Sequence, residues 1–266
     1  MQLVVATGKQ KALAKLYGPG QDVPESEGNT VECMRPVWMG NSSVVYADWG
    51  LDRFGRLYSV DVDTLKRTNL YSNSKSAVDG GLVNVTGFCR PAIRAEDQTI
   101  AVSVWRKHLA QKLPPTWTAE VLDPKQYGTN GVQPDVSWPL NGGFGVGQLQ
   151  WRPGTARQIA LVEFDAKFGN VLEVWQCPKP GPPVKHLIAN LDAYPAAGEP
   201  RWSKDGSALA FTLASPAPAP PGTVPYKLNY IEVVAINANG TRSGDFVRVA
   251  PTDTGIDWSR HIDWLS

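Results

Sequence analysis

A short hairpin signal recurs along this chain of 266 residues and limits the folds that the chain can adopt. The clearest copy is residues 200–211, PRWSKDGSALAF, in which an Asp-Gly pair separates two apolar runs. Such a pair is among the strongest short-range signals for a hairpin, because glycine supplies the positive φ that the turn requires. The stretch therefore predicts two antiparallel strands joined by a tight turn.

Looser copies of this hairpin begin near residues 36, 91 and 149, and a shortened copy begins near residue 262. One aligned position is occupied in turn by Trp38, Ile93, Trp151, Trp202 and Trp264, which are separated by 55, 58, 51 and 62 residues. Self-similarity at a nearly constant period is typical of repeat architectures. The chain is therefore predicted to be built from one repeated unit.

A second pair of strands follows the hairpin in most repeats. In the first repeat, residues 56–62 and 66–71 flank a turn, and in the fourth, residues 229–236 and 246–249 do so. Only the fourth strand of the second repeat is hard to identify. Four strands per period, named a to d here, make the unit of a β-propeller blade. We predict an all-β fold in which residues 1–266 form a single β-propeller of four-stranded antiparallel blades.

The two ends of the chain fit one further blade. Residues 2–7 and 12–17 match strands c and d, and residues 262–266 match strand a. Together they predict a fifth blade shared between the termini, with residues 1–17 completing it and hiding exposed sheet edges. Strand b of this blade has no counterpart in the sequence. Either the closing blade has three strands, or the chain is part of a longer propeller.

The pattern P-x-W-S-x-D-G-x-x-x-A-F, with a later I-x-V-x-(D/N)-x-x-G, resembles the WD40-like (PD40) repeat of TolB-type propellers. The fourth repeat carries it at Pro200, Trp202, Ser203, Asp205, Gly206, Ala210 and Phe211. The resemblance implies a periplasmic or otherwise extracytoplasmic binding domain, or the propeller that accompanies a peptidase domain. No secretory leader is recognisable, since residues 2–6 are already strand-like.

Composition narrows the classes of partner. The net charge is +1, from 26 basic and 25 acidic residues that are well mixed, so no electrostatic surface for nucleic acid is predicted. The apolar runs are too short to cross a bilayer, and membrane insertion is not expected. The three cysteines fit no metal-ligand spacing. Cys33 and Cys89 occupy similar places in their repeats and are expected to be free, with a disulfide as the alternative.

Loop length distinguishes the two ends of the predicted blades. The a–b and c–d turns are mostly short, whereas the b–c and d–a connections are long. The long b–c connections are residues 48–55, 106–116 and 214–226, and the long d–a connections are residues 72–87, 127–147 and 190–199. Because loops on a rigid scaffold commonly carry function, the end with the long loops is the predicted binding face.

Three tryptophans lie at the ends of the b–c connections: Trp49, Trp105 and Trp117. Arg53 and His108 lie nearby in sequence. Tryptophan beside arginine is the composition of a binding hot spot, because it combines a large contact area with polar groups. These five residues are the predicted contacts for a protein partner, although the tryptophans could equally hold their own loops in place. The tryptophans at the aligned strand-a position are expected to form core between blades.

Support for catalysis is sparse. The chain has no G-x-S-x-G motif and no H-x-x-x-H pair, and neither a metal nor a cofactor is predicted. Asp253, Asp257 and Asp263 would form at best a weak calcium cluster. The predicted function is a non-enzymatic binding or assembly module, either on its own or as a subunit of a larger assembly.

Two alternatives remain open: the propeller part of a larger peptidase, and a glycosidase-type enzyme with a carboxylate pair at the channel mouth. The glycosidase would draw its pair from loop carboxylates. The candidates are Asp48, Asp52, Asp135, Asp192, Asp257 and Asp263.

Overall fold

The computed structural model describes thirteen stretches of the chain, and the regular elements within them are β-strands. The stretches are residues 2–4, 10–12, 36–49, 55–72, 84–108, 116–124, 136–140, 149–154, 156–165, 169–178, 181–192, 196–216 and 226–251.

Sixteen of the strands form four sheets that follow one another along the chain. Sheet 1 contains β3 (Val37–Met39), β4 (Ser43–Trp49), β5 (Gly55–Asp61) and β6 (Arg67–Ser72). Sheet 2 contains β7 (Asn84–Ile93), β8 (Ile100–His108), β9 (Thr116–Leu122) and β10 (Val136–Leu140). Sheet 3 contains β11 (Gln150–Trp151), β12 (Gln158–Asp165), β13 (Gly169–Gln176) and β14 (Val184–Asn190). Sheet 4 contains β15 (Ala196–Trp202), β16 (Ala208–Pro216), β17 (Tyr226–Ile236) and β18 (Arg242–Pro251).

Each sheet is an antiparallel meander in which consecutive strands are neighbours. Four antiparallel four-stranded sheets confirm the predicted all-β class. The remaining strands, β1 (Gln2–Val4) and β2 (Gln10–Ala12), pair as a hairpin near the N-terminus, as predicted, although β2 begins at Gln10 rather than at Ala12. Residues 262–266 lie outside the described residues, so the shared fifth blade stays a prediction.

The fourth strand of the second repeat is β10. It lies within residues 127–147, which were predicted to be a d–a connection, so that prediction is partly wrong. β10 pairs with β9 at the edge of sheet 2. Its sequence, VSWPL, contains Pro139, which lacks the N–H that a central strand needs and is tolerated at a sheet edge. The connection 190–199 is likewise shorter than predicted, because β15 begins at Ala196.

The Asp-Gly turn of sheet 4 has the predicted geometry, with Gly206 at φ +70°. Ser203 Oγ donates a hydrogen bond to Asp205 Oδ1 at 2.6 Å, and the Ala208 N–H donates to Ser203 Oγ at 2.9 Å. These bonds hold the ends of β15 and β16 together. At the corresponding turn of sheet 2, Gln98 has a φ of +59°. Because Gln98 has a Cβ atom and glycine has none, this backbone conformation costs about 1 kcal/mol.

The sheets pack in chain order through their apolar faces. Between sheets 1 and 2, Val45 and Leu57 meet Ile100 and Val102 in one buried cluster. The interface of sheets 2 and 3 includes Ala101, Val121, Leu161 and Trp175, and that of sheets 3 and 4 includes Val162, Leu172, Trp202, Leu209 and Phe211.

The aligned strand-a residue faces the preceding sheet. Ile93 packs toward sheet 1, Trp151 toward sheet 2 and Trp202 toward sheet 3. Trp151 and Trp202 are 5% and 4% exposed, which confirms that they are core residues. For Trp38 the prediction of a core position is wrong, because this tryptophan is 50% exposed. Trp38 pairs with Val44 and lies on the outer face of sheet 1, the face turned away from sheet 2.

Candidate functional site

The predicted partner-binding residues that the structure describes lie at one end of sheets 1 and 2. Trp49 ends β4 and His108 ends β8, while Trp117 is the second residue of β9. The strand register pairs Trp105 with Trp117. Arg53 lies outside the described residues. The structure therefore brings three of the predicted tryptophans to the b–c end of two neighbouring sheets.

Trp117 has a core role as well as a position near this end. Its side chain is partly buried and packs against the cluster between sheets 2 and 3, which contains Ala119 and Trp151. The indole Nε1 is buried and has no hydrogen-bond partner within the part of the chain that the structure describes. This packing favours the alternative in which Trp117 also holds its own strand in place.

A polar cluster of two buried glutamates and one exposed lysine lies on the sheet-2 side of sheet 3, on strands β12, β13 and β14. Lys185 Nζ donates a hydrogen bond to Glu163 Oε1 at 2.8 Å and lies 4.0 Å from Glu173 Oε2. The Trp175 Nε1 donates to Glu173 Oε2 at 2.6 Å, and Lys185 Nζ sits 4.1 Å from the centre of the Trp175 ring. Glu163 is only 2% exposed. Two carboxyl groups thus share one ammonium group in a largely apolar interface.

Burial, followed by the neighbouring Glu173 carboxyl group, raises the pKa of Glu163 to about 7 against the opposing effect of Lys185. Glu163 therefore keeps its proton up to near-neutral pH.

Two neighbouring carboxyl groups, one of them with a raised pKa, are found at many acid–base catalytic sites. A glycosidase, however, needs its carboxyl groups about 5–10 Å apart on either side of a substrate. Here the two groups lie 2.8 and 4.0 Å from the same Lys185 ammonium and are enclosed between sheets, which suits a structural pair. Among the loop candidates, Asp48 lies in β4 and Asp192 follows β14, while Asp52, Asp135, Asp257 and Asp263 lie outside the described residues.

Sequence reasoning missed this cluster, although a signal for it exists. Glu163 has the same strand parity as the apolar Ile159 and Leu161, and Glu173 has the same parity as Val171 and Trp175. A glutamate that continues the buried face of a strand predicts a buried carboxyl group. Within the described residues, no group of three potential metal ligands is found.

At the opposite end of the sheets, where the a–b and c–d turns lie, two arginines donate hydrogen bonds to neighbouring turns. Arg152 Nη1 donates to Gln158 Oε1 at 2.6 Å and to the Asn237 carbonyl at 2.7 Å, so it joins sheet 3 to the c–d turn of sheet 4. Its guanidinium also lies 5.0 Å from the ring centre of Trp202. The side chain is buried, and its donors are used within the chain.

Arg94 has the corresponding place in sheet 2. Its Nη1 donates to Asp97 Oδ2 at 2.7 Å, and its Nη2 donates to the Gly154 carbonyl of the next a–b turn at 3.1 Å. Glu96 Oε1 accepts a hydrogen bond from the Gly154 N–H at 2.5 Å. These polar groups therefore join neighbouring turns to one another.

The described cysteine side chain offers no reactive thiol. Cys177 is buried, and burial raises its pKa to about 12, so the thiolate needed for nucleophilic or redox chemistry is scarce. Cys89 lies in β7 and Cys33 lies outside the described residues, so their expected free state stays a prediction.

Comparisons with known proteins give a distant structural likeness. No protein-family model matches the chain, and no curated protein sequence matches it. Among solved structures, the hydrazine synthase of Kuenenia stuttgartiensis aligns over 88% of this chain and 69% of its own, with 13% identity and a TM-score of 0.44. Within the described stretches, no helix has the length and hydrophobicity that a membrane span requires.

Proposed function

We propose that the four sheets are blades of a TolB-type propeller whose fifth blade is shared between the chain ends. The support is a consistent packing direction, since each aligned strand-a residue from sheet 2 to sheet 4 faces the sheet before it. Trp38 faces the side of sheet 1 where such a fifth blade would lie.

Burial on the two outer faces also supports this closure. On the outer face of sheet 1, Val44, Tyr46 and Val60 are 3% exposed or less. On the far face of sheet 4, Ala210 and Thr212 are buried as well. In an open row of four sheets both faces would meet solvent, so their burial favours a fifth layer between sheets 4 and 1.

We propose that the propeller is a non-enzymatic binding or assembly module that holds a protein partner at the b–c end of sheets 1 and 2. One contrast carries this proposal. The a–b and c–d turns are tied together by Arg94 and Arg152, whereas Trp49, Trp105 and Trp117 are placed at the opposite end. The PD40 resemblance implies that such a module works outside the cytoplasm.

The test compares two variants in the source organism. A tagged chain carrying Trp49→Ala and Trp105→Ala should lose a specific co-purifying protein in quantitative mass spectrometry. Val247→Ala, which shortens an exposed apolar side chain on sheet 4, should retain it. Thermal melts by circular dichroism establish that both variants are folded. The same partner set in both variants would reject this face as the binding surface.

A further inference from the structure

An open groove of about 450 Å³ lies between the outer strands of sheets 3 and 4. It is lined by Leu187, Ile188, Ala189, Asn190, Arg242 and Phe246. The volume falls within the range of pockets that bind ligands. This groove is separate from the b–c end of sheets 1 and 2.

One wall of the groove is the edge of β14. This strand pairs with β13 on one side, for example through Leu187 with Glu173 and Ala189 with Leu172. On its other side it pairs with no described strand. Four consecutive residues of β14 line the groove, so its backbone edge borders the open space. A free edge offers N–H and C=O groups to an added strand.

The other wall combines an aromatic ring with a cation. Arg242 places its guanidinium 5.0 Å from the ring centre of Phe246, and Phe246 in turn packs edge-on against the buried Phe211. The Arg242 guanidinium has no hydrogen bond or ion pair to any described residue. By contrast, Arg248 on the same strand is paired with Glu232 at 2.9 Å. Among the described residues that line the groove, Arg242 carries the one charge and none is a carboxylate.

We propose that this groove binds an extended acidic–apolar peptide segment of a partner protein, which pairs with the edge of β14 and places a carboxylate on Arg242. Main-chain hydrogen bonds to β14 supply affinity, and apolar side chains pack against Phe246. Stacking on the ring holds the guanidinium in place before binding, which lowers the cost of ordering it. Charge complementarity selects an acidic peptide over a basic one.

The test is fluorescence anisotropy with a fluorescein-labelled octapeptide in which valine alternates with glutamate and serine. The full chain should bind this peptide saturably. Arg242→Gln should weaken binding about ten- to a hundredfold, the loss expected for one charge-assisted hydrogen bond. Arg248→Gln, which changes a cation already paired with Glu232, should stay within about twofold. Thermal melts confirm that both variants are folded.

Two altered peptides separate the charge from the strand pairing. Replacing glutamate by glutamine should weaken binding to the native chain and abolish the difference between it and Arg242→Gln, as a double-mutant cycle requires for a direct contact. A peptide with a central proline should bind poorly, because proline lacks the N–H that pairs with an edge strand.

Three results would overturn the proposal: no saturable binding at millimolar peptide, equal binding by Arg242→Gln and the native chain, or equal losses in Arg242→Gln and Arg248→Gln. Sedimentation of the chain without peptide tests whether a second copy of the chain occupies the groove. If the chain dimerises and Arg242→Gln prevents it, a second copy occupies the groove, and the assignment to a partner peptide is wrong.

Discussion

At the scale of single residues, Glu163 makes the free energy of unfolding depend on the pH of the solution. Its pKa is raised from 4.5 to about 7 by burial and by Glu173, so the folded chain binds this proton more tightly than the unfolded chain does. Its contribution to stability is complete below about pH 4.5 and is lost as the pH rises through about 7. The free energy of unfolding should therefore fall across this window, by at most about 1.4 kcal/mol per pH unit for one proton.

Urea unfolding across the window measures this slope. Glu163→Gln should flatten it, because glutamine has the same shape and does not titrate. Glu232→Gln, which alters an ion pair on another sheet, should leave the slope unchanged. Asp205, whose pKa is lowered to about 2 by hydrogen bonds from Ser203 and Ser207, titrates well below this range and does not contribute. An equal slope in Glu163→Gln and the native chain would contradict the assignment.

At the scale of elements, the turn at Gly206 shows how a local sequence signal is tied to packing. Its φ is +70°, and a Cβ added there would lie 3.1 Å from Arg152 Cγ and from the Pro153 carbonyl oxygen. Gly206→Ala should therefore suffer both backbone strain and a steric conflict with sheet 3, and it should lose about 2–3 kcal/mol of unfolding free energy.

Gly154 provides the matched control for this prediction. It has a φ of +91° in the neighbouring a–b turn, but no atom lies within 4 Å of an added Cβ. Gly154→Ala should suffer the backbone strain alone, at about 1 kcal/mol. Chemical denaturation of both variants measures the difference. Equal losses would mean that the contact with Arg152 does not constrain the turn.

The same distinction explains which elements were predictable. The hairpin at Asp205-Gly206 is encoded by neighbouring residues, so the sequence alone locates β15, β16 and the repeats aligned on them. β10 was missed because Pro139 conceals an edge strand. The burial of Glu163 and the exposure of Trp38 depend on which sheet packs against theirs, and local pattern carries little of that information.

At the scale of the whole molecule, closure of the propeller depends on what covers the outer face of sheet 1. Val44 lies on this face and is 3% exposed. If the chain ends form the covering blade, removal of residues 258–266 should uncover the face while the interface between sheets 3 and 4 stays closed. We predict that Val44→Cys is protected from a thiol reagent in the full chain and reacts rapidly in the shortened chain.

Two further positions make this result interpretable, in a background where the native cysteines are replaced by alanine. Val247→Cys, at a site 62% exposed, should react rapidly in both chains. Val162→Cys, buried between sheets 3 and 4, should stay protected in both, whereas global unfolding would expose it. If Val44→Cys is equally protected in both chains, residues 258–266 do not cover sheet 1. Fast reaction at Val44 with continued protection at Val162 is the pattern that a blade completed by both ends requires, because only the last layer would then be open.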